Sequence, residues 1–569
     1  RESAPRALPG AAGGSREAGR SPLFGNASVI IGPPGTGKSS QIERLISTLI
    51  EQGVSADAIA AVCFTKAAVG VLRERLGGAF EDPRHSKVRT IHSFAFKLLK
   101  LHGHEPELMD DEAWAAFGRE HDYSFSRLKC EDDDQEALGR TLPRRTPHDD
   151  LRYVVEWAAS RQLDLDAGHR RCPVTVDGRD LRRLVRLLDA YKASRGLYSF
   201  SDLLTTCLSA RLRLDPAPGI AFIDEAQDLS PLQIALVHLW FDECPRGVVI
   251  AGDDDQCIYG FQAADPGWLV RQAAAAQTLG RTTVLAQSFR VPAGPCALGQ
   301  AAIRGNRVRV PKDYRPRAPA GNDPAHDVLT LARGRLVEHL VAAGERTVLV
   351  LARHRYTLAA LAYELLDRGV PYLLVGGGAP CPLADEDLRA ALETCARAGR
   401  GEAMFSLDIF QLKPYLSFPA GLLEGVQLGA DVPSQTMAWL SGRVSLLGAA
   451  GALDQLDRRI RRYLAAVVTP GGELPRPSLR LMTIHAAKGD EADTVFIIPE
   501  MLPAAMRALR DHAGGGAEGE HRIAYVAITR ARRQLVLVEP STARFYDYGA
   551  LLRRGPAPEH VTRPDGATS

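Results

Sequence analysis

The sequence predicts an α/β protein with two parallel-sheet cores, each interrupted by a mostly helical insertion. Three observations carry this. Short apolar runs are each followed by a stretch with helical spacing, the mark of βα units on a parallel sheet. The alternation falls into two blocks, roughly 26–285 and 286–545. Inside each block lies a segment without strand-like runs, 105–195 in the first and 379–475 in the second.

The elements follow from their residues in order. Ser28–Ile31 is an apolar run stopped by Gly32, as expected of a buried parallel strand. After the turn Gly32–Ser39, Ile42, Leu45, Ile46 and Leu49 fall on one helical face. Ile59–Phe64 precedes the helical Lys66–Leu76, Ile220–Ile223 precedes Pro231–Trp240, and Val248–Ala251 is a further strand. In the second block Thr347–Leu351 leads into Tyr356–Leu366, and Val495–Ile498 is another strand. The first insertion holds the acidic run Glu131–Glu136, and prolines at 414, 419, 433, 470 and 475 break the second. Asp511–Glu520 has four glycines and no apolar residue but alanine, which predicts an exposed loop. Residues 1–25, with five Gly, three Pro and four Arg, read as a disordered lead, and 546–569 as a tail. The first core is then 26–104 with 196–285, and the second 286–378 with 476–545.

Composition narrows the class. A chain of 569 residues can bury several cores. With 70 Lys+Arg against 68 Asp+Glu the net charge is +2, which excludes a uniformly basic nucleic-acid coat but not a local basic groove. Nine cysteines without a C-x-x-C pair fit reduced thiols and argue against a disulfide framework, a zinc ribbon or an iron–sulfur cluster. No apolar run approaches the ~18 residues needed to span a bilayer, and the scattered thiols make a cytoplasmic location the expectation.

The chemistry concentrates in a few motifs. Gly32-Pro33-Pro34-Gly35-Thr36-Gly37-Lys38-Ser39 has the spacing G-x-x-x-x-G-K-S. Such a turn wraps backbone N–H groups around a phosphate, with Lys38 on the β/γ-phosphates and the Ser39 hydroxyl on Mg²⁺. The helix it opens, with Ser40 in its first turn, adds a positive end. Asp224, closing an apolar strand, is a candidate Mg²⁺ ligand, and Glu225 a candidate base for the attacking water. An acidic helix cap is the alternative, and the upstream phosphate turn favours catalysis. In Gly252–Phe261, Gln256 is a candidate γ-phosphate sensor, while Tyr259 and Phe261 offer rings for base stacking. Arg290 in Gln-Ser-Phe-Arg and Arg530 in Val-Ala-Ile-Thr-Arg-Ala suit neutralisation of a transferring phosphoryl group.

In this order the motifs resemble a superfamily 1 DNA helicase of the UvrD/Rep group. Phe64–Arg75, Thr90-Ile-His-Ser-Phe94, Phe200–Leu204, Pro371–Gly377, Leu481–Glu491 and Arg522–Ala531 extend the match over most of 28–540. The resemblance implies two RecA-like cores with ATP and Mg²⁺ between them and single-stranded DNA across the top. It further implies 3′→5′ translocation, action on tailed duplexes in repair, recombination or replication, and a nucleoid-associated protein. By the same analogy Thr65, His92, Phe94, Tyr259, Phe261, Thr483 and His485 face DNA, Glu491 touches the ribose and Phe289 offers a ring to the base. The departures are a short second insertion, Asp490 in place of an apolar residue and Val71 in place of a glutamate. The short insertion keeps a second reading open, a DNA-end-sensing ATPase subunit with little unwinding of its own. Too little of this sequence follows Arg530 to hold a fused nuclease, which leaves a nuclease or repair partner on another chain as an expectation. Residues 1–40 contain no glutamine to read adenine, Asn26 lies close to the turn and Ser40 stands where the family tends to carry arginine, so relaxed nucleobase selectivity is expected.

Overall fold

The structure, a computed structural model, describes residues 22–82, 86–125, 146–260, 263–321, 323–342, 346–376, 379–424, 426–469 and 475–554. The acidic run at 131–136 and Phe261 lie outside the described residues. No described helix is long and apolar enough to cross a membrane, and none of the eight described cysteines forms a disulfide.

The first sheet contains β1 (Ala27–Ile31), β2 (Ile59–Val62) and β3 (Val88–Arg89). Two short strands, β4 (Glu107–Leu108) and β5 (Leu197–Tyr198), pair with each other at the neck of the first insertion. β6 (Ile220–Ile223), β7 (Val248–Gly252) and β8 (Thr282–Val284) complete the sheet in the order β3-β2-β6-β7-β1-β8, with every pairing parallel. Every residue of β2 and β6 is buried, because helices cover both faces. Val29 and Ile31 point to the side packed by helices Ile91–Leu101, Phe200–Ser209 and Pro231–Phe241. Ile30 points to the other, against helices Lys38–Glu51 and Lys66–Leu76. This register brings the C-terminal ends of β1, β6 and β7 together, with Ile31 beside Gly252 and Ile223 beside Ile250. Ligands of open α/β sheets bind at such ends.

The second sheet holds β9 (Val328–Leu331), β10 (Val348–Ala352), β11 (Leu373–Leu374), β12 (Leu479–Thr483), β13 (Ala492–Ile498) and β14 (Ala531–Val538). Its order is β11-β12-β10-β13-β14-β9, again wholly parallel.

The insertions differ in how they are held. Helices of the first enclose their own core of Trp114, Phe117, Val154, Leu184, Leu188 and Tyr191. Each such buried side chain stabilises by about 1.5–3 kcal/mol. In the second, Leu392, Leu440 and Leu464 belong to the same core as Val350, Leu361 and Phe496 of the second sheet.

Three expectations about loose segments are corrected. Phe24, placed in the lead, is buried and stacked on His238, and its N–H donates to Gln272 (2.8 Å). The stretch from 546, placed in the tail, starts with buried Tyr546 and Tyr548 and continues as helix Tyr548–Arg554. Asp511–Glu520 is not all loop. Helix Gly516–Ile528 begins inside it and buries Glu518 and Glu520, which pair with Arg307 and Arg353. Ion pairing, invisible to an apolar pattern, makes these glutamates interior residues.

Candidate nucleotide and DNA site

At the end of β1 the chain turns through Gly32-Pro33-Pro34-Gly35-Thr36-Gly37, where Gly35 and Gly37 adopt φ of 73° and 82°. The turn is anchored by Gly32 N–H to the Gly252 carbonyl (3.0 Å) and by the Thr36 hydroxyl to the Pro33 carbonyl (2.8 Å). Lys38 Nζ donates to the Gly32 carbonyl (2.7 Å), which holds the ammonium over the turn. Ser39 and Ser40 follow in the first helical turn, where the helix end favours anions.

Ser39 Oγ donates to Asp224 Oδ2 at 3.0 Å, which joins the turn to the end of β6. A hydroxyl and a carboxylate set side by side are hard oxygen donors of the kind Mg²⁺ prefers. Glu225 takes a left-handed backbone, φ 51° and ψ 40°, a strained choice for a residue with a side chain. Burial and the neighbouring Glu225 charge push the Asp224 carboxyl up to about 6. Burial also opposes ionisation of Glu225. Lys38, Lys488 and a hydrogen bond from Gln227 outweigh it and hold that carboxyl below its ordinary value. Two adjacent carboxyls are thus driven apart, as in sites that divide acid–base work.

Residues from the second core reach the same place. Arg530 is buried. It donates to Gln256 Oε1 (3.1 Å), while Gln256 Nε2 donates to Asp253 Oδ2 (2.8 Å). Burial and the nearby Arg290 lower Arg530 to about 10, so it stays cationic at neutral pH. Arg290 pairs with Glu491, which also faces Arg532 (3.3 Å). Phe289, a residue 76% exposed, donates its N–H to the Gly35 carbonyl (2.8 Å) and lies beside a cleft of about 630 Å³. Phe289 and Arg290 line that cleft, while Lys38, Ser39, Asp224, Glu225, Gln256 and Arg530 are joined to one another by the contacts at the junction of the cores, and Glu491 reaches them through Arg290.

The DNA-side candidates divide. Thr65 caps helix Lys66–Leu76 by accepting from Ala68 N–H, and Thr483 does the same for Ala486 N–H. Phe64 next to Thr65 stacks on Tyr259 (5.3 Å between centroids), and Tyr259 lies 6.3 Å from His485. Thr65, Tyr259, Thr483 and His485 thus gather at one seam between the cores. His92 and Phe94 sit elsewhere, on helix Ile91–Leu101, with His92 edge-on to Phe200. Burial lowers His92 to about 4 and His485 well below its ordinary value, so both rings are neutral at pH 7.

Two stacking assignments are corrected. Phe94 is 2% exposed and packs on Trp240 and Phe241, because it shares the core-facing stripe of Ile91, Ala95 and Leu98. Tyr259 is 4% exposed, its faces covered by Phe64 and by Lys488 Nζ at 4.9 Å. Neither ring is available to a base. Sequence reasoning also missed Lys488. It pairs with Asp228 and donates to the Gln256 carbonyl (2.9 Å), bridging the cores beside Glu225. Its place in Leu481–Glu491 was the available signal.

Two parallel α/β cores with a phosphate turn on one and arginines from the other beside it define a class, the two-core P-loop nucleoside triphosphatases of RecA type. The family model for the UvrD/REP helicase N-terminal domain matches residues 15–276, and that for the UvrD-like helicase C-terminal domain matches 470–541, together more than half of the chain. The chain belongs to the UvrD/Rep family, whose members are ATP-hydrolysing DNA helicases. It is 26% identical to the ATP-dependent DNA helicase UvrD2 of Mycobacterium tuberculosis, covering 89% of this chain and 76% of that one. It is 23% identical to a probable DNA helicase of Mycoplasma pneumoniae (92% and 82%), and 28% identical to the ATP-dependent DNA helicase Rep of Escherichia coli (42% and 36%).

Proposed function

We propose that the protein is an ATP- and Mg²⁺-dependent translocase on single-stranded DNA that moves 3′→5′ and unwinds tailed duplexes during repair, recombination or replication. The observation that carries this reading is the set of contacts across the cleft. Lys488 and Arg530 of the second core grip Asp228 and Gln256 of the first, a few ångströms from Glu225 and beside the Tyr259–His485 seam. A change in either core's grip on DNA then alters the geometry around the hydrolytic carboxylate.

In this reading the amides of Gly32–Ser39 and Lys38 bind the phosphates, and Ser39 and Asp224 would hold Mg²⁺, which would supply positive charge to the phosphates. Glu225, kept ionised, accepts a proton from water. Arg290 and Arg530 neutralise the charge that develops on transfer, and Glu491 leaves Arg290 to face the ribose.

The test is ATPase and strand displacement by the purified chain on 3′-tailed, 5′-tailed and blunt duplexes. Stimulation of ATPase by single strands and displacement from the 3′ tail alone are expected. An ATPase indifferent to single strands overturns the reading. A second reading, a DNA-end-sensing ATPase subunit working with a nuclease or repair partner, is favoured by one observation. The described residues of the second insertion share their core with the second sheet rather than enclosing one of their own, as those of the first insertion do. Stimulated ATPase without displacement selects it.

A further inference from the structure

Between helix Ala293–Ile303 and β9, residues 304–314 run as a strap from one core to the other. Its start is fastened to the second core. Arg307 pairs with Glu518 (3.2 Å), and Arg522 donates to the Val308 carbonyl (2.9 Å). Its end is fastened to the phosphate turn, where the Tyr314 hydroxyl donates to the Pro34 carbonyl (2.8 Å).

The middle of the strap closes over three consecutive buried aspartates. Val310 N–H donates to Asp254 (2.9 Å), and Arg309 forks Asp255 at 3.2 and 2.9 Å. Lys312, its side chain 1% exposed, sits 3.2 Å from Asp253, 2.7 Å from Asp254 and 2.6 Å from Asp255. Burial alone would drive its ammonium toward neutrality, but the three carboxylates hold its pKa above the ordinary value. Burial and the neighbouring Asp255 and Asp253 charges push Asp254 up to about 6 against the pull of Lys312. A cation enclosed this way sets the charge of its surroundings, since an unpaired buried carboxylate is strongly disfavoured.

Asp253 carries the effect to the cleft. A carboxylate only accepts hydrogen bonds, so Gln256 must turn its NH₂ toward Asp253 and its oxygen toward Arg530. The reversed amide would set oxygen against carboxylate and NH₂ against guanidinium. We propose that Lys312 is a positioning residue for ATP hydrolysis: by pairing with Asp253 it fixes the polarity of the Gln256 amide, and it ties that amide to the strap between the cores. The proposal rests on the reading of Gln256 as a phosphate-side residue.

The test is steady-state ATPase on saturating single-stranded DNA, with thermal melting as the check on folding. Lys312→Gln is paired with the charge-compensated Lys312→Gln/Asp254→Asn, which is read if the single variant fails to fold. Each is made with Gln256 intact and with Gln256→Ala. With Gln256 present kcat falls about tenfold or more while KM for ATP stays within about twofold. In the Gln256→Ala background the same change alters kcat by less than about twofold. A kcat within about twofold of the parent, or equal falls in both backgrounds, overturns the positioning role. If Gln256→Ala by itself leaves kcat unchanged, the reading of Gln256 fails, and the proposal with it.

Discussion

Both sheets are six-stranded and wholly parallel, yet they finish their strands differently. In the first, β1 opens into a glycine turn and β6 ends in Asp224 and Glu225. In the second, β10 runs into Arg353, paired with Glu520, and His354, whose Nε2 accepts from Leu502 N–H (3.0 Å). Burial lowers His354 to about 3, consistent with a neutral acceptor. The same strand ends are thus open to a phosphate in one core and satisfied by the protein's own side chains in the other. Architecture alone assigns no chemistry to a sheet. The residues just past its strands do.

The largest expected effects break the first core's half of this division. Lys38→Ala and Glu225→Gln should each lower DNA-stimulated kcat by about a thousandfold or more, the scale of losing a principal phosphate contact or the base. Nucleotide binding should survive Glu225→Gln, because the amide keeps the shape and loses only the proton acceptor. Near-parental turnover by Glu225→Gln would remove its assignment.

The second core's contribution should be smaller, since two arginines share it. Arg290→Ala and Arg530→Lys are expected to depress kcat by about 10²–10³, below the 10³–10⁵ of a single dedicated arginine. The KM for ATP should move far less. Because Arg530 is buried against Gln256 and the Val526 carbonyl, its variant should also lower the melting temperature, whereas Arg290→Ala should not. Unchanged kcat in both would take the second core out of the reaction.

The smallest effect sharpens what the cleft does not read. Asn26 spends its amide on the Cys244 carbonyl (3.1 Å), and Gln287 spends its own on the Ser288 and Pro316 carbonyls. Phe289 stacks on any flat ring. Comparing kcat/KM for ATP and GTP on saturating single strands should give a ratio within about tenfold, or ~1.4 kcal/mol. A hundredfold preference for ATP would mean that another group reads the base.

The parts of the fold and site that were legible in the sequence are the contiguous ones. Gly32–Ser39 and Ile220–Glu225 declare strand and turn in a few residues, so local pattern suffices. Phe94 and Tyr259 were misjudged because a motif gives the residue type, while burial depends on what packs over it, here Trp240 and Lys488 from remote parts of the chain. Lys312 was illegible for the same reason. Nothing in Pro311-Lys312-Asp313 announces three aspartates waiting some sixty positions earlier. Glu520 was lost because a run of glycines hides a helix whose stability comes from ion pairing and burial.

Gly35 has one more consequence. A β-carbon there would sit 2.5 Å from Cβ of Arg290, on a backbone with φ of 73°. The phosphate turn and the Ser288–Arg290 segment therefore meet with no room for a side chain at position 35. Any larger residue at position 35 would have to push Arg290 and Ser288 away from the phosphate turn, on a backbone that residues with a side chain rarely adopt.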